Sequence, residues 1–167
     1  NPLFNSAVLF EDGRVLQKVA KRLLPTYDVF DECRYFEPGA VYRTVAYRGR
    51  RLGLTVCEDV WNDKDVFKHR IYPSDPVALL VENGAELIVN ISASPFHAGK
   101  DAFRGRMLAT IAGKYRLPLI FVNQVGGNDS LLFDGLSTAF AATGEVVARA
   151  SDFVEDLVVY DLETGRG

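Results

Sequence analysis

The run Ala85-Glu-Leu-Ile-Val-Asn-Ile91 is almost unbroken in apolar character, which is how a strand buried on both faces reads. Residues 118–123 repeat the pattern. Between them, 101–114 places Phe103, Met107, Leu108 and Ile111 on one helical face. A second, shorter helix is expected over 76–83, with Gly84 as its stop. Upstream, 6–10 and 14–20 read as strands joined by Glu11-Asp12-Gly13, and 41–47 and 52–57 as a hairpin around Arg48-Gly49-Arg50. Residues 21–39 look irregular, and 137–141, 146–150 and 157–160 form a meander broken at Thr143-Gly144. Strands with interposed helices, plus hairpins, predict a layered α/β or α+β sandwich.

Length and composition narrow the function. The 167 residues, 48% hydrophobic and 25% charged, suit one domain with a real core. A net charge of −3 offers no basic surface for nucleic acid, and no apolar run is long enough to span a membrane. Only two cysteines, Cys33 and Cys57, and no signal peptide lead us to expect a reducing, cytoplasmic setting. With His69 and His97 they lack the close spacing of a zinc site, so no metal is expected. Ser94-Pro-Phe-His-Ala-Gly99-Lys100 imitates a phosphate loop, but Ser94 replaces its first glycine and Asp101 follows the lysine. Gly126-Gly127 lacks dinucleotide-binding spacing.

Chemistry centres on Cys57, where a strand pattern ends and Glu58-Asp59 follows. A thiol there is well placed for a ligand and for backbone N–H groups that bind an oxyanion. Free cysteines are also commonly inert core residues, so its reactivity turns on a nearby base or cation. His97, just past a buried strand, offers a cysteine–histidine pair; otherwise it is a surface residue. Lys21 offers a cation, and is otherwise a solvated side chain. Trp61, Phe96 and Tyr35 read as core walls, and Asp134-Gly135 as a turn.

Five segments in this order carry a resemblance: Lys21-Arg-Leu-Leu-Pro-Thr-Tyr27, Val29-Phe-Asp-Glu-Cys-Arg-Tyr-Phe36, Val56-Cys-Glu-Asp-Val-Trp61, Asn90-Ile-Ser-Ala-Ser-Pro-Phe-His97 and Asn123-Gln-Val-Gly-Gly127. The chain resembles the nitrilase superfamily (carbon-nitrogen hydrolases), and within it the glutaminase domains of glutamine-dependent NAD synthetases. That resemblance implies a four-layer α-β-β-α sandwich and a Glu-Lys-Cys triad. By motif it makes Cys57 the nucleophile, Lys21 the triad lysine and the Glu58 backbone N–H an oxyanion donor. It gives Tyr27, Glu32, Ser94 and Lys100 to the L-glutamine pocket, with Glu32 suited to the ammonium and Lys100 to the carboxylate. Ser94 read alone is a helix-entry residue, and Lys100 an ill-placed cation at a helix N-terminus.

The family's glutamate lies several tens of residues before the lysine, and Glu11 does not match its motif. The resemblance therefore implies that 1–167 is a partial glutaminase domain, lacking its first strands, its general base and a C-terminal synthetase domain, and inactive alone. ATP and magnesium would belong to that synthetase domain, with no cofactor in this chain. An unpaired sheet edge and an exposed apolar face would then favour association, in keeping with the family's homo-oligomers. A stand-alone amidase or nitrilase and a non-catalytic piece are the competing expectations.

Overall fold

A computed structural model describes residues 2–165, which form a mixed α/β structure in two compact units that divide between Ala85 and Glu86. The first begins with β1 (Ser6–Glu11) and β2 (Arg14–Ala20), antiparallel, with a register shift between Leu9 and Phe10. The turn at Asp12-Gly13 has φ of 49° and 73°, the left-handed pair that joins tightly twisted strands. β3 (Val45–Tyr47) and β4 (Arg50–Val56) pair the same way through Arg48-Gly49. The expected first half of β3, residues 41–44, carries no strand.

Helix α1 (Pro76–Glu82) starts where Asp75 accepts the Ala78 N–H and Pro76 presets the first turn. It packs on β4, burying Val77 and Leu80. The β1–β2 hairpin leaves Val8, Phe10, Val15 and Leu16 exposed.

In the second unit the two apolar runs become β5 (Leu87–Ser92) and β6 (Leu119–Asn123), parallel, with α2 (Lys100–Tyr115) between them in sequence. A hairpin follows, β7 (Val125–Asn128) with β8 (Leu131–Asp134); then β9 (Thr138–Phe140) lies antiparallel to β6, and β10 (Val146–Arg149) to β9. The turn carrying Gly144 lies so close to α2 that a Cβ there would meet the Ala109 carbonyl at 2.5 Å. The break at Thr143-Gly144 thus serves close packing as well as reversal.

Three expectations are corrected. Residues 157–160 form no strand; Leu157 and Val159 are 87% and 75% exposed, so apolar composition there finds no core. Phe103 does not face the core of α2. Arg104 does, beside Met107, Leu108 and Ile111, because a buried acid receives its guanidinium. Asp134 is that acid and no surface turn residue; it is 1% exposed at the end of β8.

Candidate active site

In the first unit the chain leaves β4 through a 3-10 turn, Cys57–Val60. Cys57 begins it with φ of 45°, a left-handed conformation that costs a non-glycine residue on the order of 1 kcal/mol. Such a sharp strand-to-turn junction lifts a side chain off the sheet, and Cys57 is only partly buried.

Asp59 holds the turn in place. Its Oδ2 accepts the Val56 N–H at 2.9 Å, and its Oδ1 accepts the N–H groups of Arg22 and Leu23 at 3.0 and 2.9 Å. One buried carboxylate therefore fastens the backbone before Cys57 to the backbone after Lys21. Burial pushes the Asp59 carboxyl above its ordinary range, while these three donors and the Lys21 charge pull the other way.

Lys21 is 1% exposed, and such burial of an ammonium calls for a partner. Glu32 supplies it, with Nζ to Oε1 at 2.6 Å, from the start of a 3-10 turn, Glu32–Arg34. The other oxygen, Glu32 Oε2, is buried without a hydrogen-bond partner. The Lys21 backbone is tied down as well: its N–H donates to Asn5 and its carbonyl accepts from Gly39.

A second acid sits beside the cysteine. Glu58 Oε1 accepts the hydroxyls of Tyr27 at 2.7 Å and Tyr72 at 3.1 Å, in a residue 7% exposed. Burial raises both tyrosine hydroxyls well above their ordinary range, and the adjacent Glu58 raises them further. Both therefore stay protonated donors throughout the neutral range.

The first unit thus brings Lys21 to Glu32 and Tyr27 to Glu58. Ser94 and Lys100 lie in the second unit, on and just after the 93–99 loop. Ser94 is 2% exposed, and the Lys100 ammonium donates to the Pro95 carbonyl at 3.0 Å. His97 is an exposed residue of the same loop.

Glu11, the acid that precedes Lys21, is bound by Tyr47 and Arg48, whose hydrogen bonds hold its carboxyl below the usual range. Phe96 and Tyr35 are exposed rather than core, Phe96 against Phe153 and Tyr35 beside Arg34.

Asp59 and Tyr72 were not singled out as site residues by the sequence. Asp59 had the better signal, standing next to Glu58 in the Cys57 motif; Tyr72 had none, in an irregular stretch. Among the described residues no three His, Cys, Asp or Glu side chains gather as a metal site, and no helix is long and apolar enough to cross a membrane.

Residues 1–166 match the carbon-nitrogen hydrolase family. A glutamine-dependent NAD(+) synthetase from Synechocystis is 46% identical over 165 residues, covering 98% of this chain and 30% of that protein. The glutamine-dependent NAD+ synthetase of Acinetobacter baumannii, solved with ADP, superposes with a TM-score of 0.86 at 34% identity, over 98% of this chain and 30% of the other. A carbon-nitrogen hydrolase from Helicobacter pylori gives 0.77 at 30% identity, over 91% and 54%. The chain therefore spans about a third or less of the length of the synthetases it matches.

Proposed function

Since the chain belongs to the carbon-nitrogen hydrolase family, we propose that it carries the nucleophile and oxyanion site of a glutaminase, and that Cys57 cleaves the side-chain amide of L-glutamine. The Cys57 sulfur attacks the amide carbon, and a tetrahedral oxyanion forms. Lys21 Nζ and the Glu58 backbone N–H stabilise that charge in a setting with little water. The proton given up by the thiol is carried by a general base to the nitrogen as the C–N bond breaks, ammonia departs, and a glutamyl thioester remains on Cys57. Water then adds to the thioester and releases glutamate and the thiol. Neither Glu11 nor Glu32 is assigned the proton-accepting role, since each is engaged by a cation.

The observation that carries this reading is the Asp59 carboxylate, which links the strained Cys57 turn to the segment of the buried Lys21. A nucleophile and a buried cation fastened by one carboxylate form a preorganised pair. Within the first unit, recognition of the amino-acid end falls to Tyr27 and its acid partner. For the ammonium we favour the Glu58 carboxylate over Glu32, because Glu32 already compensates Lys21. In the longer protein the ammonia would amidate deamido-NAD at an ATP- and magnesium-dependent synthetase domain. The finer architecture that accompanies this reading is the four-layer α-β-β-α sandwich, with the exposed β1–β2 face packed against further strands and copies associating.

The test is ammonia release from L-glutamine by the protein that carries this chain, with and without Glu58→Gln. The variant should raise KM about 10- to 100-fold, the worth of a charge-assisted hydrogen bond, and change kcat less. No release by the unaltered protein, or hydrolysis of simple amides in preference to glutamine, would favour a general amidase instead.

A further inference from the structure

Helix α1 ends on the one asparagine in the chain that a glycine follows, Asn83-Gly84. The way the helix closes requires that glycine. Gly84 stands at φ of 79°, its N–H donates to the Val81 carbonyl at 2.8 Å, and the Ala85 N–H donates to the Leu80 carbonyl at 3.0 Å. This pair of bonds around a left-handed residue is a common helix stop. The space beside the Gly84 Cα is also taken, since a Cβ there would lie 2.8 Å from Arg51 Nη1. A side chain at 84 would be both strained and crowded.

We propose that Asn83 is a site of spontaneous deamidation, guarded by the bonds that close α1 and opened when that helix unwinds. The Gly84 nitrogen attacks the Asn83 side-chain carbon and closes a five-membered succinimide. The side-chain nitrogen leaves as ammonia, taking the proton of the attacking N–H. Water then opens the ring at either carbonyl and leaves aspartate or isoaspartate, a net exchange of NH for oxygen.

Glycine matters because no side chain branches beside the attacking nitrogen. Asn83 is exposed and has that neighbour. Asn62, Asn90 and Asn123 are buried and precede Asp63, Ile91 and Gln124, while Asn5 and Asn128 precede Ser6 and Asp129.

The closed helix withholds both reacting groups. The Gly84 N–H is bound to Val81, and Asn83 Nδ2 donates to the Leu79 carbonyl at 2.7 Å. Attack needs both bonds broken, which is a local unfolding event. α1 has only seven residues, so it opens as a unit, and the Asp75 cap at its start bears on the chemistry at its end. Conversion puts a carboxylate at the negative end of the helix dipole in place of a hydrogen-bond donor, which leaves α1 less stable. That helix packs on β4, the strand that leads into Cys57.

The test holds the protein that carries this chain at mildly alkaline pH in native buffer, in urea below the unfolding transition, and in full denaturant. Peptide mass spectrometry reads aspartate and isoaspartate at each asparagine over several weeks. Asn83→Gln is the blank, because glutamine would have to close a slower six-membered ring. In denaturant Asn83 should convert ahead of Asn5 and Asn128. In native buffer it should still convert, about tenfold or more slowly. Folded Asp75→Ala should speed that native rate about fivefold, the change in open population that loss of an N-cap gives.

No product at Asn83 in native buffer, or equal rates folded and denatured, overturns the proposal. So does a native rate unchanged by Asp75→Ala. If that variant does not fold, the urea series decides, and a rate at Asn83 that stays flat up to the unfolding transition overturns it.

Discussion

Cys57→Ala is expected to lower ammonia release from L-glutamine by about 10^4-fold or more, with the fold intact. The size follows from the nature of the step. Without the sulfur no thioester forms, and what remains is the oxyanion site acting on direct attack by water. Alanine is the right control for structure, because it keeps a Cβ at φ of 45° and so leaves the local strain as it is. A continuous ammonia assay on matched, folded preparations measures the effect. Equal rates in the two proteins would remove Cys57 from the mechanism.

The second large effect belongs to Lys21. Lys21→Met should cost about 10^2- to 10^3-fold in kcat, the range for loss of an oxyanion partner. It should also destabilise the protein by about 3 kcal/mol, because Glu32 is left as a largely buried carboxylate without its cation. These two losses have different causes and can be separated. Adding Glu32→Gln removes the orphaned charge, so Lys21→Met/Glu32→Gln should regain most of the stability in chemical denaturation and none of the activity. Activity that returned together with stability would make Lys21 a structural cation only.

Much of the fold was legible because periodicity records burial directly. The runs at 85–91 and 118–123 and the glycine turns at Gly13 and Gly49 all formed elements where expected. Residues 157–160 show the limit: a short apolar run makes a strand only where a neighbouring backbone is there to pair with. Arg104 shows another. A hydrophobic face drawn from spacing chooses Phe103, yet an arginine paired with a buried acid takes the buried place. That partner, Asp134, comes thirty residues later in a stretch that reads as a turn.

The same holds within the candidate site. Motif order singled out Cys57, Lys21, Tyr27 and Glu32, but the pairing of Lys21 with Glu32 and of Glu58 with two tyrosines depends on a loop from 21 to 39 that has no regular pattern. Tyr72 meets Glu58 through a contact distant in sequence, so it carried no local signal.

The central claim is that glutamine is cleaved through a covalent intermediate on Cys57. It is tested most directly by mixing the protein that carries this chain with L-glutamine, quenching in acid during turnover, and mapping adducts by peptide mass spectrometry. The account predicts a glutamyl group on the Cys57 peptide, released by hydroxylamine and missing in Cys57→Ala. Glutamine turnover with no adduct at Cys57, or with the adduct on Cys33, would contradict it.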